Sequence, residues 1–168
     1  MALGQSVTYI DFGLNSVAEF WDRLIVPGVR SFVREPSART AFDASLSLWH
    51  LHDWVWHERH PGEDSRGSRF NAYRNWLLTS CPELGWLRDV ADAGKHRGLR
   101  RRHLVTGAEP HSVSGPGETL MGVSIGGRVA YFLVTNDGLH QDLAAVFRAV
   151  VEFWRVELAD KNLPTPFT

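Results

Sequence analysis

Cysteine occurs once in this chain, at Cys81. A single thiol excludes an intramolecular disulfide and any zinc cage built from the cysteines of one chain. Long hydrophobic runs are also missing. No stretch of about eighteen apolar residues occurs, so no membrane-spanning helix is expected. The N-terminus lacks the basic segment, apolar run and small-residue cleavage site of a secretory leader, and a cytoplasmic location without membrane contact is the expectation. An excess of one charge is lacking as well. With a formal net charge of -1, nucleic acid would have to be held by a local patch and not by the overall field. Gly115-Pro116-Gly117 and the stretch from Gly122 to Gly127 carry neither a phosphate-loop lysine nor a dinucleotide fingerprint, so no nucleotide cofactor is expected. Internal repeats and low-complexity segments are absent too.

What is present fits one globular domain, residues 1–168, with 43% apolar and 22% charged side chains. Tryptophan is abundant: of seven, Trp49, Trp54, Trp56 and Trp86 fall in or beside two polar helical segments considered below. From Leu14 to about Phe32, Val17, Phe20, Trp21, Leu24 and Ile25 recur at helical spacing, with Pro27-Gly28 marking a kink or break. A second helix is predicted from Ser37 to Glu58, ended by His60-Pro61-Gly62. It is apolar nearly all round and therefore central. A third runs from Phe70 to Leu78, and a fourth opens at Pro82-Glu83 and reaches about His96.

Beyond that the period changes to that of strands. Residues 103–106, 119–125 and 128–135 are predicted as strands, the last two joined as a hairpin by Gly126-Gly127, with 107–118 a mobile connection. Asn136-Asp137-Gly138 is a further turn, and Leu143, Val146, Phe147, Val150, Trp154 and Leu158 mark a last amphipathic helix ending near Asn162. The fold expected is α+β, mainly α. About five helices form a bundle (helical part 14–97), a small three-stranded antiparallel sheet (103–135) is inserted, and a C-terminal helix (139–162) follows.

Asp53 lies on an apolar helix face, where a carboxylate is costly unless paired. His50, three residues before it, and His57, four after, can meet it on that face. Asp89, Asp92 and His96 repeat the spacing on the fourth helix. Two such triplets facing each other would suit a divalent transition metal held by His50, Asp53 and His57 with Asp92 and His96. The same residues equally suit a His–Asp hydrogen-bond network that fixes helix register. Lys95, Arg97, Arg100, Arg101 and Arg102, with His96 and His103 among them, form the one dense basic cluster, a candidate contact for RNA phosphates. Cations at a helix C-terminus are also favoured by the dipole alone.

Leu51-His52-Asp53-Trp54-Val55-Trp56-His57, Cys81-Pro82 before a helix ending Asp92-Ala93-Gly94-Lys95-His96, and a final Val151-Glu152-Phe153-Trp154 helix together resemble a widespread family of uncharacterised bacterial proteins. That resemblance spans most of the chain and brings no established activity. More distantly, the helical part is similar to HEPN domains, small bundles of toxin–antitoxin and antiphage systems. Many of these are metal-independent ribonucleases with an arginine and a histidine four to six residues apart. The resemblance implies His96 as general acid or base, Arg88 or Arg97 on the phosphate, Asp92 beside them, and the RNA 2′-hydroxyl as nucleophile. Here the chain departs from the pattern. Seven residues, 89–95, separate Arg88 from His96, about 12 Å of helix rise, and Arg97 and His103 straddle Gly98. Three functions are therefore expected in competition: an RNA-binding or RNA-cleaving protein, a metal-binding bundle, and a non-catalytic module acting as a homodimer.

Overall fold

The computed structural model describes residues 13–95, 104–113, 119–120, 123–124, 128–159 and 163–167. Ser16 opens the first helix by accepting the Glu19 N–H on its hydroxyl at 3.1 Å. The helix runs as α1 (Val17–Phe20), a π-helical turn (Trp21–Ile25) and α2 (Val26–Arg34) without interruption. Pro27 does not break it, contrary to one of the two expected outcomes. Proline lacks the N–H for an i→i−4 bond and its ring crowds the carbonyl four residues back. The wider turn just before Pro27, in which the Val26 N–H reaches the Trp21 carbonyl, absorbs that mismatch.

α3 (Ala38–Arg59) begins on a reciprocal cap: the Ser37 hydroxyl accepts the Thr40 N–H, and Thr40 Oγ1 accepts the Ser37 N–H. Ala44, Leu48, Leu51, Val55 and Trp56 are all buried, but at 100° per residue they share one side of the helix, so α3 buries a broad face and is not enclosed all round as its sequence predicts. α4 (Ser68–Ser80) and α5 (Glu83–Lys95) follow, the latter with Pro82 and Glu83 at its start. Counting the π-linked helix as one, five helices are formed among the described residues, the last being α6 (Leu143–Glu157).

The sheet is three-stranded and antiparallel and precedes the last helix, as expected, but its pairing is not the expected one. β1 (Val105–Val113) pairs with β4 (Arg128–Thr135), and β4 pairs with β5 (His140–Asp142), in the order β1-β4-β5. The short strands β2 (Thr119–Leu120) and β3 (Val123–Ser124) pair only with each other. The described residues of 119–125 are thus not paired with 128–135 as a hairpin. Gly126-Gly127 itself lies outside the described residues.

The expected mobile connection is likewise corrected over 107–113, which is strand. Gly107 and Pro110 made that segment read as loop. A proline is tolerated in β1 because β1 is an edge strand, where a missing N–H need not break a ladder. The ladder register shifts between Val105 and Gly107. The turn 136–138 is present, with Gly138 at φ +81°. β5 leads directly into α6, whose N-cap Asp142 accepts the Ala144 N–H at 3.0 Å. α6 ends at Glu157, earlier than expected, and Ala159 after it adopts φ +52°.

Sheet and helices share one core. Leu133 of β4 is fully buried, and Phe32 of α2 packs edge-on against Phe147 of α6 at 5.0 Å and Tyr131 of β4 at 6.3 Å. At the join of helix and sheet, Gly85 of α5 makes room for Leu104. A Cβ at position 85 would come within 2.8 Å of the Leu104 side chain.

Candidate functional site

Two polar sites emerge, one on α3 and one on α5. On α3, His50 Nδ1 lies 3.3 Å from Asp53 Oδ2, and since a carboxylate only accepts, the imidazole donates. His52, which sequence reasoning passed over, is the buried member, 3% exposed. Its Nδ1 donates to the Trp49 carbonyl. Its ring lies 4.2 Å from that of Trp49 and 5.6 Å from that of Phe70, stacked on the latter. Arg74 of α4 closes the cluster, its guanidinium 5.4 Å from the Trp49 ring and 5.8 Å from the Phe70 ring.

Burial lowers the pKa of His52, and it outweighs the opposing pull of Asp53 and the Trp49 carbonyl. Arg74 and His50 push in the same direction as burial. The ring is therefore neutral at pH 7, with the proton on Nδ1 and a lone pair on Nε2, 3.7 Å from Asp53 Oδ1. Two acceptors at that distance form no hydrogen bond. Burial also acts on Asp53, raising its pKa. The His50 hydrogen bond, aided by the charges of His52, His50 and Arg74, more than reverses this and holds the carboxyl below its usual range. With His52 neutral, His50 and Arg74 carry that stabilisation at pH 7.

His57, the third member of the expected triplet, is half-buried on α3. Among the described residues no three His, Cys, Asp or Glu side chains gather as a metal ion would require. The charged wall opposite Asp53 comes from α4, through Arg74, and sequence reasoning missed it. The signal was present: Phe70 and Arg74 stand one turn apart on α4, and an acid on an apolar face demands a partner.

On α5, Asp89 is 2% exposed. Its Oδ2 accepts the backbone N–H of Leu104 and, at 3.3 Å, that of Val105, and Arg88 Nη2 lies 3.5 Å from Oδ1. Asp89 thus ties the start of β1 to the middle of α5. Arg88 and Asp92 are half-buried and stand four residues apart, on one face of the helix. α5 ends at Lys95. His96, Arg97, Arg100, Arg101 and Arg102 lie outside the described residues, as does the side chain of Lys95. Between Lys95 and Leu104 the sequence carries four arginines and two histidines in the eight residues 96–103.

Cys81 offers no nucleophile. The thiol is buried and lies 3.4 Å from Glu83 Oε2, and burial with the neighbouring carboxylate pushes its pKa up to about 12. No family model, curated protein or solved structure matches this chain.

Proposed function

We propose that this chain is a HEPN-like RNA-binding protein whose contact surface is the end of α5 and the basic connection after it, with His96, Arg88 and Asp92 the residues for phosphodiester chemistry. One observation carries the reading: Asp89 holds Leu104 and Val105 against α5. The stretch with Arg97, Arg100, Arg101 and Arg102 is therefore flanked on one side by the end of α5 and on the other by Leu104, which is held at the middle of α5 beside Arg88. The sequence alone puts four arginines and two histidines into the eight residues 96–103, a local density of cations to which a phosphate backbone responds in a protein of net charge -1. If cleavage occurs, Arg88 or Arg97 would offset the phosphate charge, and His96 would take or return a proton at the 2′-hydroxyl.

The test is cleavage of a labelled single-stranded RNA by the purified chain, with and without chelator. The expected result is chelator-insensitive cleavage, lost in His96→Ala while binding remains. Undiminished cleavage by His96→Ala would remove the catalytic assignment, and absence of any RNA binding would remove the reading.

The metal-binding reading of His50, Asp53 and His57 is decided by elemental analysis of protein made in metal-supplemented medium. Stoichiometric zinc, iron or manganese would favour it. On the reading proposed here the α3 cluster joins α3 to α4, supported by the stacking of His52 on Phe70 and by the Arg74 guanidinium over the Trp49 and Phe70 rings.

A further inference from the structure

The C-terminal segment 163–167 lies along α2 and leaves a groove of about 440 Å³ between them, lined by no residue of either polar site. Its walls are held in place. The Trp21 indole N–H donates to the Pro164 carbonyl at 3.0 Å, Arg30 Nη2 lies 3.5 Å from the Thr165 carbonyl, and the Arg148 guanidinium sits 5.1 Å from the Phe167 ring. Pro166 is buried and Phe167 half-buried, so the segment is packed against the domain.

The lining is divided in chemistry. Arg30 and Arg34 stand one helical turn apart with Ser31 between them, and Val33 and the C-terminal Phe167 supply apolar surface. No carboxylate lines the groove among the described residues. Arg34 has no hydrogen-bond or ion-pair partner among the described residues. Two guanidinium groups at i, i+4 repel one another. The dipole at the end of α2 favours a cation there, which accounts for Arg34 in the last turn. It does not account for an apolar trough beside the pair, in which Val33 stays 48% exposed.

From this we infer that the groove binds a small organic anion, a phosphate monoester or carboxylate on a flat apolar body. The headgroup sits between Arg30 and Arg34, where planar guanidinium forks match both kinds of oxyanion, and the body rests on Val33 and Phe167. The volume lies within the roughly 300–1,000 Å³ of small-molecule sites. The groove lining includes no residue of the basic stretch after α5, and the inference does not depend on RNA binding.

Titration calorimetry on the full chain tests it with four probes: phenyl phosphate, benzoate, inorganic phosphate and benzyl alcohol. Phenyl phosphate or benzoate is expected to bind at one site, at least about tenfold tighter than either inorganic phosphate or benzyl alcohol, because charge and apolar contact act together. The better of the two aromatic anions identifies the headgroup. Arg34→Ala is expected to weaken it about tenfold, and Val33→Glu, which places a carboxylate in the trough, to abolish it. Both positions are exposed, and an unchanged melting temperature checks that each variant folds. Arg100→Ala/Arg101→Ala/Arg102→Ala is expected to bind as the parent does. Equal affinity for inorganic phosphate, undiminished binding by Arg34→Ala, loss of binding in the triple variant, or no saturable binding of either aromatic anion would each overturn the inference.

Discussion

Replacing Asp89 with alanine removes the carboxylate that receives the Leu104 and Val105 N–H groups and faces the Arg88 guanidinium. Asp89 is 2% exposed, so its loss leaves two backbone N–H groups without their carboxylate and takes one partner from Arg88, whose side chain is 15% exposed. A hydrogen bond to a charged group contributes about 1.5–3 kcal/mol. The two amide bonds share one acceptor atom and do not add fully, and water can reach part of the Leu104 backbone, since that residue is 37% exposed. The expected loss is about 2–3 kcal/mol for Asp89→Ala and about half of that for Asp89→Asn, which keeps an acceptor but not the charge. With a urea slope of roughly 2 kcal/mol per M, Asp89→Ala lowers the unfolding midpoint by about 1–1.5 M. Amide exchange gives the local readout: Leu104 and Val105 should lose protection in the native state while α3 and α6 keep theirs. A midpoint within about 0.25 M of the parent, together with unchanged protection at those two amides, would refute the role of Asp89 in holding Leu104 and Val105 to α5.

The His52 environment makes a pH prediction. Burial depresses its pKa in the fold, so the unfolded chain binds the proton more readily. The corresponding stability is complete above about pH 6.5 and is lost as the pH falls below it toward the folded value. Asp53, also depressed, adds a loss in the same direction below its usual range near 3.8. Urea midpoints from pH 7.5 to 5.5 should therefore fall in the parent and flatten in His52→Phe, and an unchanged slope in the variant would contradict the assignment. Cys81, with its pKa pushed up to about 12, should react with a disulfide reagent at pH 8 only after unfolding, and rapid modification of the native protein would contradict its burial. Ala159 sits at φ +52° just beyond α6, so Ala159→Gly should stabilise by about 0.5–1 kcal/mol, and a destabilised variant would refute strain there.

The elements legible in the sequence are those whose caps and periods agree. The unbroken run from Ser37 to Glu58, Pro82 with Glu83 and the run from Leu143 to Trp154 each mark a helix by local chemistry, and a helix forms at each, although the last is shorter at both ends than the expected 139–162. β1 was legible only at its start, in the expected strand 103–106; beyond Thr106 Gly107 and Pro110 disfavour strand locally, whereas pairing with β4 along an edge overrides propensity. The π-helical turn before Pro27 has no sequence mark beyond the proline itself. At the candidate sites, the need for a partner at Asp53 was legible from its apolar face and is met by His50, three residues before it, whereas the smaller contribution of Arg74 on α4 depends on helix packing. Asp89 read as one of a repeated His/Asp set, while in the fold it is committed to the backbone of β1.

The most direct measurement of the RNA reading is the salt dependence of affinity for a short single-stranded RNA, by fluorescence anisotropy, for the parent and for Arg100→Ala/Arg101→Ala/Arg102→Ala. Each phosphate neutralised contributes about 0.7 to the slope of log K against log salt for a single strand, so removing three contacts should reduce the slope by about 2. Asp89→Ala, which loosens the hold of α5 on Leu104 and Val105 but keeps every cation, should weaken binding with the slope preserved. Equal slopes for the parent and the triple-arginine variant would contradict the account.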